Sequence, residues 1–324
     1  MLWTSGLRRR LPISREYSCT LPQAEVDDMI SELLGVDVGR MTSLAQQWGC
    51  VPRTVLDFTR DKATDSYIEK SYRRRARTAV LRSQEVVDAA AENAYLDDVP
   101  SQIFFCQPQL EGSKINRMLS CATVPTKTIR RLLGEALQHQ HTRVRVNFFN
   151  ALRQSSQMSQ AAGVIFENWF LSFFSAARTI QCNWVQESGV SELKGRTTVV
   201  YTNWEVVKVA PPPYFWIAPP HFPGINCALI LDTGVYVFQV TIRRIHKPPM
   251  EGMKTLRKYL PRQLKNNPWS VVFVGDYKSQ IRTVAKSLVG KIPFPTPDGK
   301  SVPIAWSVVN PMRSGIAYKV SIFG

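Results

Sequence analysis

The sequence predicts an α+β protein, mostly helical over residues 1–150 and built on a mixed sheet flanked by helices over residues 151–324. Three observations carry this. In the first region apolar residues recur at the three- and four-residue spacing of a helix with one buried face. In the second, near-continuous apolar runs such as 228–231, 235–240 and 269–275 read as strands covered on both faces. Between the first two runs lies Asp232-Thr233-Gly234, whose residues suit a tight turn, so the runs pair as a hairpin.

In chain order, Val26, Met29, Ile30, Leu33 and Leu34 place a helix over 24–34, closed by Gly35. A second helix spans 38–48 and ends at Gly49, and a third opens at Val51-Pro52. Residues 65–94 read as one long helix. Its run Arg73, Arg74, Arg75, Arg77 reads as a phosphate-contacting face or a solvated one, with a nuclear-import signal, and so the nucleus, as the third reading. Short strands are expected at 102–106 and 120–123 around a polar loop. The helix over 126–139 then has Ile129, Leu132, Leu133, Ala136 and Leu137 on one face, with Arg130 and Arg131 on the other.

Residues 147–177 are strongly apolar and helical, with Glu167 the single carboxylate from Gln160 to Phe174. A charge there costs several kcal/mol unless it is paired or ligating. Strands are expected over 180–186 and 197–209, with a turn near Gly195. Tyr214-Phe215-Trp216-Ile217 reads as packing ahead of base stacking. After Pro248-Pro249 come a helix over 250–264, a strand over 269–275 and a basic helix over 279–288. Strands over 304–309 and 317–322 close the region.

Composition narrows the class. Hydrophobic content of 44% with 20% charged residues is that of a globular chain. No apolar run reaches the ~20 residues that span a bilayer, and the order of charge and apolar residues at the N-terminus does not suit a secretory signal. The six cysteines are scattered without zinc spacing and read as reduced core thiols. No G-x-x-x-x-G-K-[ST] occurs, so no nucleotide cofactor is expected. A net charge of +16 and a pI near 9.8 point to a nucleic-acid partner and would also suit an anionic membrane surface.

The hairpin carries the most specific pattern. Phe222-Pro-Gly-Ile-Asn226 enters the first strand, Phe238-Gln239-Val-Thr241 leaves the second, and His246 follows. Counted from the turn, Asn226 and Gln239 fall side by side on neighbouring strands. This resembles the core of PD-(D/E)XK nucleases and, more narrowly, the nuclease-like domain of Crinkler effectors and retrotransposon-hot-spot proteins. Ala162-Gly163-x-x-Phe166-Glu167 resembles the first helix of that domain. Trp48-Gly49-x-Val51-Pro52-Arg53 resembles the tail of its P-loop ATPase. The resemblance implies a restriction-endonuclease-like α/β/α domain over 151–324, behind an ATPase-lid remnant over 1–150. It also implies delivery into another organism's cells.

The same resemblance implies a site. Metal ligands would be Glu167, Asn226 and Gln239 around Mg²⁺; Gln239, Thr241 and His246 would serve catalysis; and Arg243, Arg244, Lys247, Lys254, Arg257 and Lys258 would contact nucleic acid. Asn226 departs from the pattern, which has Asp there, and loses a charge that Mg²⁺ would use. Two readings stay open: a metal-dependent DNA endonuclease weakened at Asn226, and a catalytically inactive nuclease fold that binds nucleic acid or protein. A third is a piece of a larger NTPase–nuclease effector.

Overall fold

The computed structural model describes residues 35, 37–49, 52–92, 103–111, 114–186, 189–200, 204–219, 222–242, 248–292 and 302–309. The chain divides into two compact units, Met1–Glu69 and Lys70–Gly324.

In the first unit, helix α1 spans Val38–Trp48, as its spacing predicts. The Asp37 carboxylate caps it by accepting the Arg40 N–H at 2.9 Å, and Gly49, at φ 91°, ends it. Helix α2, Pro52–Arg60, begins on proline, where no N–H is needed. Arg40 pairs with Asp65. The helix expected at 24–34 lies outside the described residues.

The expected long helix is two: α3, Asp65–Leu81, and α4, Ser83–Glu92. Backbone bonds from Arg82 N to Thr78 O and from Val86 N to Arg82 O carry the ladder across the turn at Arg82. The arginine run is not one uniform face. Arg73 pairs with Glu135, and Arg75 lies over the Tyr72 ring at 5.4 Å, while Arg74 and Arg77 are exposed.

Within the polar loop expected at 109–114, residues 109–111 and 114 are paired strand. β1, Phe105–Glu111, and β2, Lys114–Thr123, form a hairpin whose register shifts at Pro108/Gln109, where proline offers no N–H. Helices α5 (Lys127–Gln138), α6 (Thr142–Gln154) and α7 (Ser159–Ser175) follow. Thr126 caps α5 through the Ile129 N–H at 3.2 Å. The expected 147–177 helix breaks at 155–158, where Ser155, Ser156 and Gln157 interrupt the apolar pattern and the Gln157 carbonyl accepts the Ala122 N–H at 2.7 Å, while Met158 is buried.

The sheet has eight strands: β3 (Thr179–Trp184), β4 (Val190–Lys194), β5 (Val199–Val200), β6 (Tyr214–Ile217), β7 (Cys227–Leu231), β8 (Gly234–Val240), β9 (Trp269–Gly275) and β10 (Ile304–Val308). Their order is β4-β3-β10-β9-β8-β7-β6-β5, with β8, β9 and β10 mutually parallel and the β7–β8 hairpin antiparallel. This is the mixed α+β architecture expected. The strand expected over 197–209 is instead the two-residue β5 followed by helix α8, Trp204–Val209. Val207 is buried there while Val206 and Val209 are exposed, a pattern that two-fold alternation does not produce. Edge strand β4 is short and polar, which hides it from apolar patterning. Pro261 splits the helix expected over 250–264 into α9, Met250–Tyr259, and α10, Arg262–Lys265. Helix α11 is Lys278–Ser287. The strand expected at 317–322 lies outside the described residues.

Helices cover both faces of this sheet. On one, Met253 and Leu256 of α9 and Ile281 and Val284 of α11 pack with Trp216, Val237, Val271 and Trp306. On the other, Phe170 and Phe174 of α7 meet Phe215 and Phe238 at centroid distances of 5.1–5.8 Å. This layering brings α7 against the hairpin.

Candidate functional site

A cleft of about 300 Å³ opens where the first turns of α7 meet the entry to β7 and the end of β8. Gly163, Glu167, Phe222, Asn226, Gln239 and Thr241 line it, with Glu167 the one carboxylate among the described lining residues. Helix α7, the strand entry and the strand end thus bring Glu167, Asn226, Gln239 and Thr241 to one place, the group proposed from the motifs. His246, Arg243, Arg244 and Lys247 lie outside the described residues. His139 and His141 are exposed. Asp232 sits in the turn, where its carbonyl accepts from Asn267 Nδ2 at 2.8 Å.

The segment before β7 explains its own composition. The Phe222 ring meets Trp216 edge-on at 5.2 Å. Gly224 adopts φ +67°, and a Cβ there would lie 2.9 Å from Pro249 Cα. Across the same contact, a Cβ on Gly252 of α9 would lie 2.1 Å from the Pro223 carbonyl oxygen. Ile225 is buried beside Gly252. These close approaches deliver Asn226 to the hairpin in one position.

Asn226 is held from three sides. Its N–H donates to Phe238 O at 3.0 Å, and its Oδ1 accepts from Val240 N–H at 2.8 Å. The second bond fixes which way the amide points. Its Nδ2 therefore donates to the Glu167 carboxylate, with which the Asn226 side chain hydrogen-bonds. Past β8, the Thr241 N–H donates to Val274 O at 2.8 Å and Gln280 Nε2 donates to Ile242 O at 2.5 Å, which fixes the strand's exit.

Glu167 is half-buried at the wall of the cleft. Burial pushes its carboxyl above the usual range, against opposing pulls from the Asn226 amide and the Arg130 guanidinium. Arg130 is lowered by the same burial and raised by Glu167, and its Nε donates to Val124 O at 3.2 Å. No linear signal marks Arg130 as Glu167's cationic neighbour. The helical pattern places it opposite the apolar face, and only the packing of α5 near α7 brings the two charges within reach.

The raised carboxyl has a testable consequence. A folded acid above its unfolded value binds its proton more tightly when native, so its favourable contribution is complete below the unfolded value and is lost as pH rises toward the folded one. Glu167→Gln removes that loss. The variant's melting temperature should gain on the native chain as pH rises above the ordinary glutamate value of about 4.3. A difference that stays constant as pH rises would mean that Glu167 does not titrate above that value in the folded chain. Asp276, also raised by burial and paired with Arg153 at 3.0 Å, is common to both chains and cancels in the difference.

Among the basic residues proposed for nucleic-acid contact, Lys254 and Lys258 are exposed on α9. Arg257 is half-buried and its Nε donates to Lys265 O at 3.3 Å, so it also fastens α10. Among the described residues no helix is long and apolar enough to cross a membrane. No protein-family model, curated protein or solved structure matches the chain.

Proposed function

We propose that the chain is a Crinkler-like, restriction-endonuclease-like domain that binds nucleic acid, DNA ahead of RNA, through the α7–hairpin cleft and the basic surface of α9. The observation that carries this is the convergence of Glu167, Asn226, Gln239 and Thr241, spread over two motifs, in one cleft. The net charge of +16 supports a polyanionic partner, and the nucleus is a fitting place to meet it. Between binding with cleavage and binding without it, the two hydrogen bonds that hold the Asn226 amide favour binding without cleavage.

The test is gel retardation of duplex and single-stranded DNA over a salt series, beside a cleavage assay with Mg²⁺. Retardation at low salt is expected, with affinity falling steeply as salt rises. Lys254→Ala/Lys258→Ala should flatten the log–log slope by about 0.9 for each phosphate that is no longer neutralised. Gly163→Leu should weaken binding by about tenfold or more. Gly163 has only Ile242 nearby, at 3.9 Å, so leucine fills the cleft while improving helix propensity. No retardation of DNA or RNA at low salt would sink the proposal. Cleavage by the native chain, abolished in Glu167→Ala, would replace it with the endonuclease reading.

A further inference from the structure

The implied Mg²⁺ must be tested against the donors present. Mg²⁺ requires near-octahedral oxygen ligands and usually at least one or two carboxylates. The cleft's described lining offers one, Glu167. The Asn226 oxygen that could join it already accepts the Val240 N–H at 2.8 Å. Turning the amide over would set its NH₂ against that N–H, donor against donor, and its oxygen against the Glu167 carboxylate. What faces Glu167 is therefore an N–H donor, with Arg130 supplying further positive charge. Both partners suit an anionic carboxylate without a cation between them.

We propose that the Asn226 amide takes the place of a divalent ion at Glu167, so that the native cleft binds no Mg²⁺ or Mn²⁺, and that this one residue sets the metal specificity of the site. Asn226→Asp changes only the atom that faces Glu167. One oxygen of the new carboxylate keeps the Val240 N–H, and the other confronts the Glu167 oxygens. Two carboxylates so placed repel each other until a cation or a proton lies between them. The substitution thus creates the pair of charged ligands that the described lining of the native cleft lacks. This inference rests on the site reading above, but its test contains no nucleic acid, so failure of metal binding and failure of nucleic-acid binding are read separately.

The experiment is a Mn²⁺ titration of the full chain, followed by thermal melting and by the electron-spin signal of free Mn²⁺. The native chain is compared with Glu167→Gln, Asn226→Asp and the double variant. Native and Glu167→Gln proteins should respond alike, with only weak surface binding. Asn226→Asp should take up one further Mn²⁺ and melt several degrees higher once Mn²⁺ is about 100-fold above its dissociation constant. The double variant should lose that response. Mn²⁺ uptake by the native chain that disappears in Glu167→Gln would overturn the proposal, and this comparison stands even if Asn226→Asp does not fold. A folded Asn226→Asp chain with no added Mn²⁺ binding would overturn it equally.

Discussion

Phe174→Ala should lower the stability of the sheet-bearing unit by about 3–5 kcal/mol, the range for truncating a fully buried phenylalanine. Phe174 is the hub of the α7 face. Its ring stacks on Phe170 at 5.4 Å and meets Phe215 and Phe238 edge-on at 5.2 and 5.1 Å. Its surroundings cannot close over the hole. A Cβ on Gly195 would lie 1.8 Å from the Phe174 carbonyl oxygen, so the backbone there is already tightly packed. In a unit of this size the loss corresponds to a fall of roughly 6–20 °C in melting temperature. Phe173→Ala is the matched control: that side chain is half-buried, and its ring meets Trp169 at 5.0 Å. It should cost less than about half as much. Equal losses at the two positions would mean that α7 does not pack on the sheet through its Phe174 face.

The hairpin and its neighbours are legible in the sequence because their signals are local. Continuous apolar runs around Asp232-Thr233-Gly234 specify β7 and β8 with their register, and that register alone puts Asn226 beside Gln239. Glu167 stands out as a lone carboxylate in an apolar helix, and the fold half-buries it beside partners, as the cost of an unpaired charge requires. Elements set by tertiary packing are not legible in this way. α8 looks like strand because Val206, Val207 and Val209 are β-branched, yet it winds so that Val207 meets the core. β4 shows no apolar run because it is an exposed edge. Arg130 and Gly252 carry no linear signal at all. One is a charge whose partner comes from another helix. The other is a glycine whose reason is a carbonyl twenty-nine positions earlier, at Pro223.

Gly252→Ala tests that last approach, and it sets two known effects against each other. Gly252 is inside α9, where alanine is favoured over glycine by about 1 kcal/mol. Propensity alone therefore predicts a more stable protein. The new Cβ, however, would lie 2.1 Å from the Pro223 oxygen and 3.0 Å from two Ile225 side-chain carbons. The oxygen belongs to backbone and has no rotamer to escape into. Either α9 or the segment from Pro223 to Ile225 must move by about 1 Å, and forcing extra volume into a packed interior costs about 1–3 kcal/mol or more. The steric cost should win, so Gly252→Ala should melt below the native chain. Because the displaced segment leads directly to Asn226, the Asn226–Glu167 hydrogen bond and the proposed nucleic-acid binding should weaken with it. Gly290→Ala separates this from ordinary glycine strain. Gly290 sits at φ +72° with nothing near its missing Cβ, so alanine there should cost about 1–2 kcal/mol and leave binding untouched. Were Gly252→Ala to melt at or above the native temperature with binding intact, the clasp between α9 and the entry to β7 would not be what positions Asn226, and the composition of the Phe222–Asn226 motif would need another cause.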